Sequence, residues 1–363
     1  MNGRIPAGKP IIGEDEEKAV LDVLRSGQLA SGPMVKKFEE EFAEYIGVEH
    51  AVAVSSGTAA IHLSLLSAGI GKGDKVIVTP YSFVASVSPV LAVGAETVFV
   101  DIDPETYCIS SENIRAAADG CDAVLPVHLY GHPADMDEIV KISEEEGLTV
   151  VEDACQAHGA SMDGRKVGSI GDIGCFSFYA TKNMTTGEGG MVTTDDEEMA
   201  AKVRSLRAHG VGVRGEYDVL GYNYLMTDVE AAIGLVQLDK LDDMNECRRT
   251  NAAILNDELS SLDDQGLVQI PIEVQGYKHV YNQYPLRVPP DKRTRIVGSM
   301  RKAGIGLRKG YQKPIYKQKF AGSDVRCQEA EKACEEVVWV PVYPTLEPAH
   351  MRRMAWGLKK LLE

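Results

Sequence analysis

A lysine that directly follows a β-like run becomes a candidate for covalent chemistry when other polar groups gather at the same rim. Lys182, in "FSFYATKNMTTGEGGMVTT" (176–194), is such a residue. An amine taken out of water loses part of its affinity for the proton, so it can act as a nucleophile and then as a base. Alone it reads as a surface charge, and three other places supply its company. After "AVAVS", Ser56, Gly57 and Thr58 lead into a helix. Glycine there permits close backbone approach, and free amides at a helix start favour an anion such as phosphate; a threonine cap with a turn glycine would look the same. The run "LTVVED" ends in Glu152 and Asp153. A carboxylate at the mouth of a buried strand must be paired or hydrogen-bonded to stay ionised, which makes Asp153 a candidate partner for a cationic ring nitrogen. After "KVIVTP", Phe83 offers a flat face to a planar ligand, or packs in a core. A phosphate cradle, a carboxylate for a pyridinium, an aromatic face and an imine-forming amine are what pyridoxal 5'-phosphate requires.

These residues converge only if the chain folds so that they share an edge. From about residue 50 to 195, "AVAVSS", "KVIVTP", "ETVFVD", "DAVLPVH", "LTVVED", "GCFSF" and "GMVTT" alternate with helix-like stretches such as "TAAIHLSLLSAGI" and "MDEIVKISEEEG". Short apolar runs between amphipathic helices predict an α/β fold with a mostly parallel, buried sheet. Ligands of such sheets lie beyond the carboxyl ends of the strands, and all four places follow a strand. A further helix, "TDVEAAIGLVQLDKLDDM", starts at Thr227 or Asp228 as N-cap. The texture changes near residue 250, which divides the chain into a large domain, 1–245, and a smaller α+β domain, 246–363. The GxGxxG spacing of Gly210, Gly212 and Gly215 follows a helical segment and precedes none, so it reads as a loop rather than a dinucleotide site.

Composition narrows the partners. The 363 residues carry 38 Lys and Arg against 54 Asp and Glu, a formal charge of -16 with no basic block, which argues against nucleic acid and against anionic membranes. The seven cysteines form no metal-ligand spacing, no metal site is expected, and their odd number fits a reducing compartment. With no signal pattern and no apolar run near the ~18 residues of a membrane helix, a soluble cytoplasmic protein is expected. His158, beside the Asp153 strand, is either a core histidine or a substrate contact.

The stretches "SGQLASGPMVKKFEEEFAEYIGVEHAVAVSSGTAAIHL", "VHLYGHPADMD", "VEDACQAHGA", "FSFYATKNMTTGEGGMVTT" and "GYNYLMTDVEAAIGLVQL" resemble the DegT/StrS family of pyridoxal-phosphate-dependent nucleotide-sugar aminotransferases, and the likeness covers nearly the whole chain. It implies the fold type I architecture: a large domain with a mostly parallel seven-stranded sheet sandwiched by helices, and a smaller C-terminal α+β domain. It makes Lys182 the Schiff-base lysine, pairs Asp153 with the pyridine nitrogen and stacks Phe83 on the ring. It sets Gln156 near the ring hydroxyl, gives the phosphate to Gly57, Thr58 and Ser177, and has Asn223 reach the cofactor of the neighbouring subunit in a homodimer. The implied reaction takes an amino group from L-glutamate, leaving 2-oxoglutarate and pyridoxamine 5'-phosphate, and delivers it to a nucleotide-linked keto-sugar. His132, Leu225 and Gly310 depart from common family residues on the sugar-nucleotide side, so the substrate is not carried over; Tyr311 and Tyr316 are candidate contacts. A pyridoxal-phosphate dehydratase or lyase, with Cys155 and Cys175 beside the site, and a non-catalytic regulatory homologue are the alternatives.

Overall fold

The structure is a computed structural model that describes residues 3–212, 215–322 and 325–363. The seven apolar runs form one sheet: β1 (His50–Val54), β2 (Lys75–Val78), β3 (Glu96–Phe99), β4 (Ala123–Leu125), β5 (Thr149–Asp153), β6 (Ile173–Ser177) and β7 (Gly190–Thr194). Their spatial order is β1-β7-β6-β5-β4-β2-β3. β7 is antiparallel to both of its neighbours, and the other pairs are parallel. The expected mostly parallel α/β sheet is therefore present, with a single reversed strand.

Successive side chains of a strand point to opposite faces, and this period of two sorts the sheet into two cores. Val52 and Val54 of β1 join Cys175 and Val192 on one face, under the helices Gly57–Ser67 and Glu197–Arg207. Ala51 and Ala53 join Phe176 and Met191 on the other, under the helices Pro33–Ile46 and Asp228–Asp239. Phe42 meets Phe176 edge-on, with ring centroids 5.0 Å apart. Thr227 caps the Asp228–Asp239 helix through a capping box with Glu230. Buried Asp228 reaches back across the fold, and its Oδ1 accepts from the backbone N–H groups of Gly32 and Val35 (2.9 and 3.0 Å).

A third core lies around the antiparallel strands β8 (Tyr284–Arg287), β9 (Arg308–Lys309) and β10 (Val337–Val340), with the helices Pro290–Lys302 and Pro348–Leu362. The helix Leu241–Asp264 runs through the expected boundary at 245/246. Its Leu241 and Met244 belong to the sheet core, and its Leu255, Leu259 and Leu262 to the third core. Chain ends cross over as well: Ile5 is buried in the third core, bridged to Ile305, while Tyr316 and Cys334 pack on the sheet core. The glycines at 210, 212 and 215 lie in a loop closed by the Val211–Tyr217 bridge; Val213 and Arg214 lie outside the described residues. No helix among the described residues is long and apolar enough to cross a membrane.

Of the two carboxylates ending β5, Glu152 is structural. It is fully buried and accepts from the amides of Gly168, Ile170 and Gly171, each at 2.7 Å. His128 accepts from Ala134 N–H at Nδ1 (3.0 Å), so its Nε2 carries the hydrogen and donates to Glu152 (2.9 Å). Burial alone would raise the Glu152 carboxyl, but the His128 hydrogen bond and the Gly168 and Gly171 amides outweigh it and hold the group below the ordinary carboxylate range. Glu152→Gln turns one acceptor into a donor that faces other donors, and is expected to cost about 2 kcal/mol. A melting experiment at neutral pH should show a fall of several degrees. Because the folded-state pKa is the depressed one, this stabilisation is complete above the ordinary range and is lost as pH falls through the lower value. The melting temperatures of the two proteins should therefore converge in acid.

Candidate active site

β5, β6 and the start of the Gly57–Ser67 helix bring their ends to one rim, which closes a cavity of about 510 Å³. Gly57, Thr58, Phe83, Asp153, Gln156, Ser177, Lys182 and Tyr311 all line it.

The helix start is held close to β6 by its glycine. A Cβ on Gly57 would lie 2.6 Å from Ser177 Cβ and 2.8 Å from Cys155 Sγ, distances that real side chains do not tolerate. Ser56 caps the helix by accepting from Ala59 N–H (3.1 Å), which leaves the amides of Gly57 and Thr58 at the helix start. Such a terminus is a ready anion site because unpaired N–H groups and the helix dipole act together. Gly57→Ala is expected to weaken binding of a phosphate-bearing cofactor about tenfold, the effect of overpacking by a kcal/mol or more; a fluorescence titration with pyridoxal phosphate reads it directly.

Asp153 turns to the cavity side, opposite to Glu152. Its Oδ2 accepts from Ser86 Oγ at 2.6 Å and its Oδ1 from Cys155 N–H at 3.1 Å, so the carboxylate is fixed from two directions. Ser86 carries only a faint signal in the sequence: it stands three residues after Phe83, in a short 3-10 turn at Val84–Ser86. Phe83 is 59% exposed, an aromatic face open to the cavity rather than a core residue.

Lys182 is positioned through its neighbour. Asn183 is buried and donates to Asn245 Oδ1 (2.7 Å) and Val280 O (2.9 Å), while Asn282 donates to Asn183 Oδ1 (3.0 Å). The lysine keeps some accessible surface because it borders the cavity, but protein encloses it. Burial lowers its pKa, opposed in part by Cys155 and Asp153. No carboxylate among the described residues forms an ion pair with it, so neutral amine is available at lower pH than for a free lysine.

Gln156 accepts from Tyr130 N–H (3.1 Å) and donates to Tyr311 Oη (3.2 Å). The first bond depends on a left-handed backbone at Tyr130, φ 60°, a strained conformation of the sort found where a site fixes its geometry. Tyr311 packs edge-on against Tyr81 and Trp339.

Three candidates fall outside this cavity. His158 is buried between Phe176 and Phe178, and its ring is driven down to a pKa of about 3 by burial and then by the charge of Lys182. It is a core histidine behind the site. Tyr316 donates to Glu331 (2.8 Å), accepts from Cys327 N–H (3.2 Å) and packs on Phe99, away from the cavity. Asn223 is exposed on the loop that bridges to Ala208. Of the departures, His132 is buried against Tyr277 and His279, and Gly310 lets Val337 and Trp339 pack where a side chain would crowd them. Thr181, Asn282, Gln283 and Trp339 also border the cavity, as do Tyr179 and Glu188.

The sequence profile of the DegT/DnrJ/EryC1/StrS aminotransferase family matches residues 10–359. The chain belongs to that family. The UDP-N-acetyl-3-dehydro-alpha-D-glucosamine 3-aminotransferase of Acidithiobacillus ferrooxidans is 37% identical over 344 residues, which cover 94% of this chain and 92% of that protein. Among solved structures, the aminotransferase from Psychrobacter cryohalolentis superposes with a TM-score of 0.92 at 34% identity, covering 97% of this chain and 98% of that one. The putative sugar aminotransferase Spr1654 from Streptococcus pneumoniae, in its PLP form, gives 0.93 at 28% identity, covering 99% and 98%. As a DegT/DnrJ/EryC1/StrS aminotransferase the protein is an enzyme. Its cavity residues fit pyridoxal 5'-phosphate: a helix start that only glycine can form, a fixed carboxylate, an open aromatic face and an amine with its pKa lowered.

Proposed function

We propose that the protein moves an amino group from L-glutamate to a keto-sugar carried on a nucleotide, with pyridoxal phosphate held at Lys182. The observation that carries this reading is the convergence of Lys182, Asp153 and the Gly57–Thr58 helix start on one cavity. When bound, the cofactor supplies an aldehyde that exchanges amines and a conjugated ring that spreads the charge left when a proton is removed beside it.

The chain's own residues do the rest. The amides of Gly57 and Thr58, with the hydroxyls of Thr58 and Ser177, bind the phosphate. Phe83 covers one ring face, and Gln156, itself held by Tyr130 and Tyr311, orients the ring hydroxyl. Asp153, fixed by Ser86 and Cys155, keeps a proton on the ring nitrogen. Lys182 would hold the cofactor covalently through Nζ and, when its amine is free, would move a proton at the substrate carbon. It runs the same transfer in reverse for the sugar. Asn223, exposed and off the cavity of its own protomer, is assigned to the phosphate of the cofactor in a second copy. The lyase alternative is disfavoured at the two cysteines beside the site: burial first pushes the thiols of both Cys155 and Cys175 well up, into their protonated and poorly nucleophilic state.

The name of the Acidithiobacillus relative makes UDP-linked 3-keto-hexoses the first substrates to try. Nitrogen-15 L-glutamate incubated with the loaded enzyme and a panel of UDP- and dTDP-linked 3-keto and 4-keto sugars should place the label in an amino-sugar nucleotide and yield 2-oxoglutarate. Release of 2-oxoglutarate with no labelled sugar from any member of the panel would reject the sugar acceptor.

A further inference from the structure

Charge in this chain is segregated. The segments 290–309 and 348–363, which hold the helices Pro290–Lys302 and Pro348–Leu362 and the strand β9, carry eleven Lys and Arg against two carboxylates, Asp291 and Glu363, a balance of +9. The rest of the chain carries 27 against 52, a balance of -25. Packing brings the basic segments onto one face. Lys292 Nζ and Arg295 Nη2 donate to the carbonyls of Leu362 and Leu361 (2.7 and 2.8 Å), and Arg353 Nη2 donates to Ala303 O (2.6 Å), so the two helices lie side by side in opposite directions. They approach closely: a Cβ on Gly357 would lie 2.8 Å from Met300 Sδ. The exposed side chains recur at helical spacing, Arg295, Arg301 and Lys302 on one helix and Arg352, Trp356 and Lys360 on the other. Bonds to carbonyls neutralise no charge, and carboxylate partners are few. Arg352 and Lys359 share Glu258 (3.6 Å each), and Arg293 is buried; among the described residues the other eight cations form no ion pair. Amid them Trp356 is 60% exposed, with Lys360 Nζ 3.9 Å from its ring centroid.

We propose that this face docks the protein on an anionic phospholipid surface, with its cations against the lipid phosphates and Trp356 in the headgroup layer. Net charge argues against such a partner, but the potential at a surface is local. At about 0.1 M salt, exposed charges more than about 10 Å away are largely screened, so the acidic remainder of the chain does not cancel the face. Each cation near an anionic leaflet strengthens binding about fivefold. The tryptophan favours lipid over other polyanions, because an indole with an apolar body and one N–H suits the boundary between headgroups and acyl chains. Shape agrees: two adjacent helices, each about 20 Å long, present a broad side that a planar surface meets along its whole length. The face belongs to the third core and the catalytic cavity to the sheet edge, so docking and amino transfer use separate residues.

The test is sedimentation of the whole, cofactor-loaded enzyme with vesicles of phosphatidylcholine containing about 30% phosphatidylglycerol, at about 0.1 M salt. Wild type should bind these at least about tenfold more tightly than pure phosphatidylcholine, and should release them at about 0.5 M salt. Lys302→Gln combined with Lys360→Gln should weaken binding about 25-fold. Trp356→Ala should weaken it about tenfold. Both should leave amino transfer in lipid-free buffer unchanged. Lys18→Gln combined with Lys36→Gln, exposed lysines outside the face, should change binding by less than about twofold. Quenching of wild-type tryptophan emission by brominated acyl chains needs no variant, and should report Trp356, since Trp339, the other tryptophan, is half-buried at the cavity. Equal binding to the two kinds of vesicle, binding to neither, or equal losses for the two lysine pairs would overturn the proposal. Tighter binding to a DNA duplex of about 20 base pairs, untouched by Trp356→Ala, would overturn it too, by making the face a nucleic-acid site.

Discussion

A protein carrying Lys182→Ala is expected to bind pyridoxal phosphate reversibly, without a covalent bond, and to lose amino transfer by about 10,000-fold or more. Two roles disappear together: the attachment that presents the cofactor, and the proton transfer, which alone is worth about 100- to 10,000-fold. The fold should survive, because the local backbone is anchored by Asn183 and not by the lysine side chain. Gel filtration with bound cofactor, followed by single-turnover assay with L-glutamate, separates retained binding from lost chemistry. In wild type, the depressed pKa of Lys182 sets the sign of the pH effect. The rate of covalent attachment should rise with pH as the amine loses its proton, and should level off below pH about 10.5, the value of an unperturbed lysine.

Asp153→Asn is expected to lower the rate of the glutamate half-reaction by about 100- to 1,000-fold, the loss seen when a preorganised electrostatic partner is removed. The amide fills the same space, its oxygen can accept from Cys155 N–H and its NH2 can donate to Ser86 Oγ, so the cavity should keep its shape. In the proposed mechanism, what goes is the negative charge that would hold a proton on the ring nitrogen, and with it the ring's capacity to take up charge. The effect should therefore fall on the rate constant more than on glutamate affinity. Ser86→Ala should lose less, about tenfold, because it loosens the carboxylate without neutralising it. A stopped-flow absorbance comparison of the three proteins checks the order wild type, Ser86→Ala, Asp153→Asn.

The sheet and half of the site were legible in the sequence for a physical reason. A buried parallel strand is a short apolar run, and the residue that ends the run is delivered to the ligand-binding edge whatever the details of packing. Asp153 and Ser177 are residues of this sort, and Gly57 and Lys182 follow a strand end within a few residues. Direction within the fold was not legible. Glu152 and Asp153 are adjacent, and only the pleat decides that one grips the 168–171 loop while the other meets the cavity. His158 and Tyr316 carry the right chemistry but face cores, because a ring's orientation depends on partners distant in sequence, Phe176 and Phe178 for one and Phe99 for the other. The same distance hid Ser86 and Trp339, which reach the cavity from a turn and from β10. A boundary read from texture could not show that the helix Leu241–Asp264 serves two cores, or that Ile5 returns to the C-terminal one.

The most direct measurement is borohydride reduction of the wild-type enzyme loaded with pyridoxal phosphate, followed by proteolysis and mass spectrometry. Reduction makes the attachment permanent, and the cofactor's mass should appear at one place, on Lys182. The label should be absent if L-glutamate is added before the borohydride, because the donor displaces the lysine. A label on another lysine, or one on Lys182 that glutamate leaves unchanged, would contradict the assignment of Lys182 as the residue on which amino transfer turns.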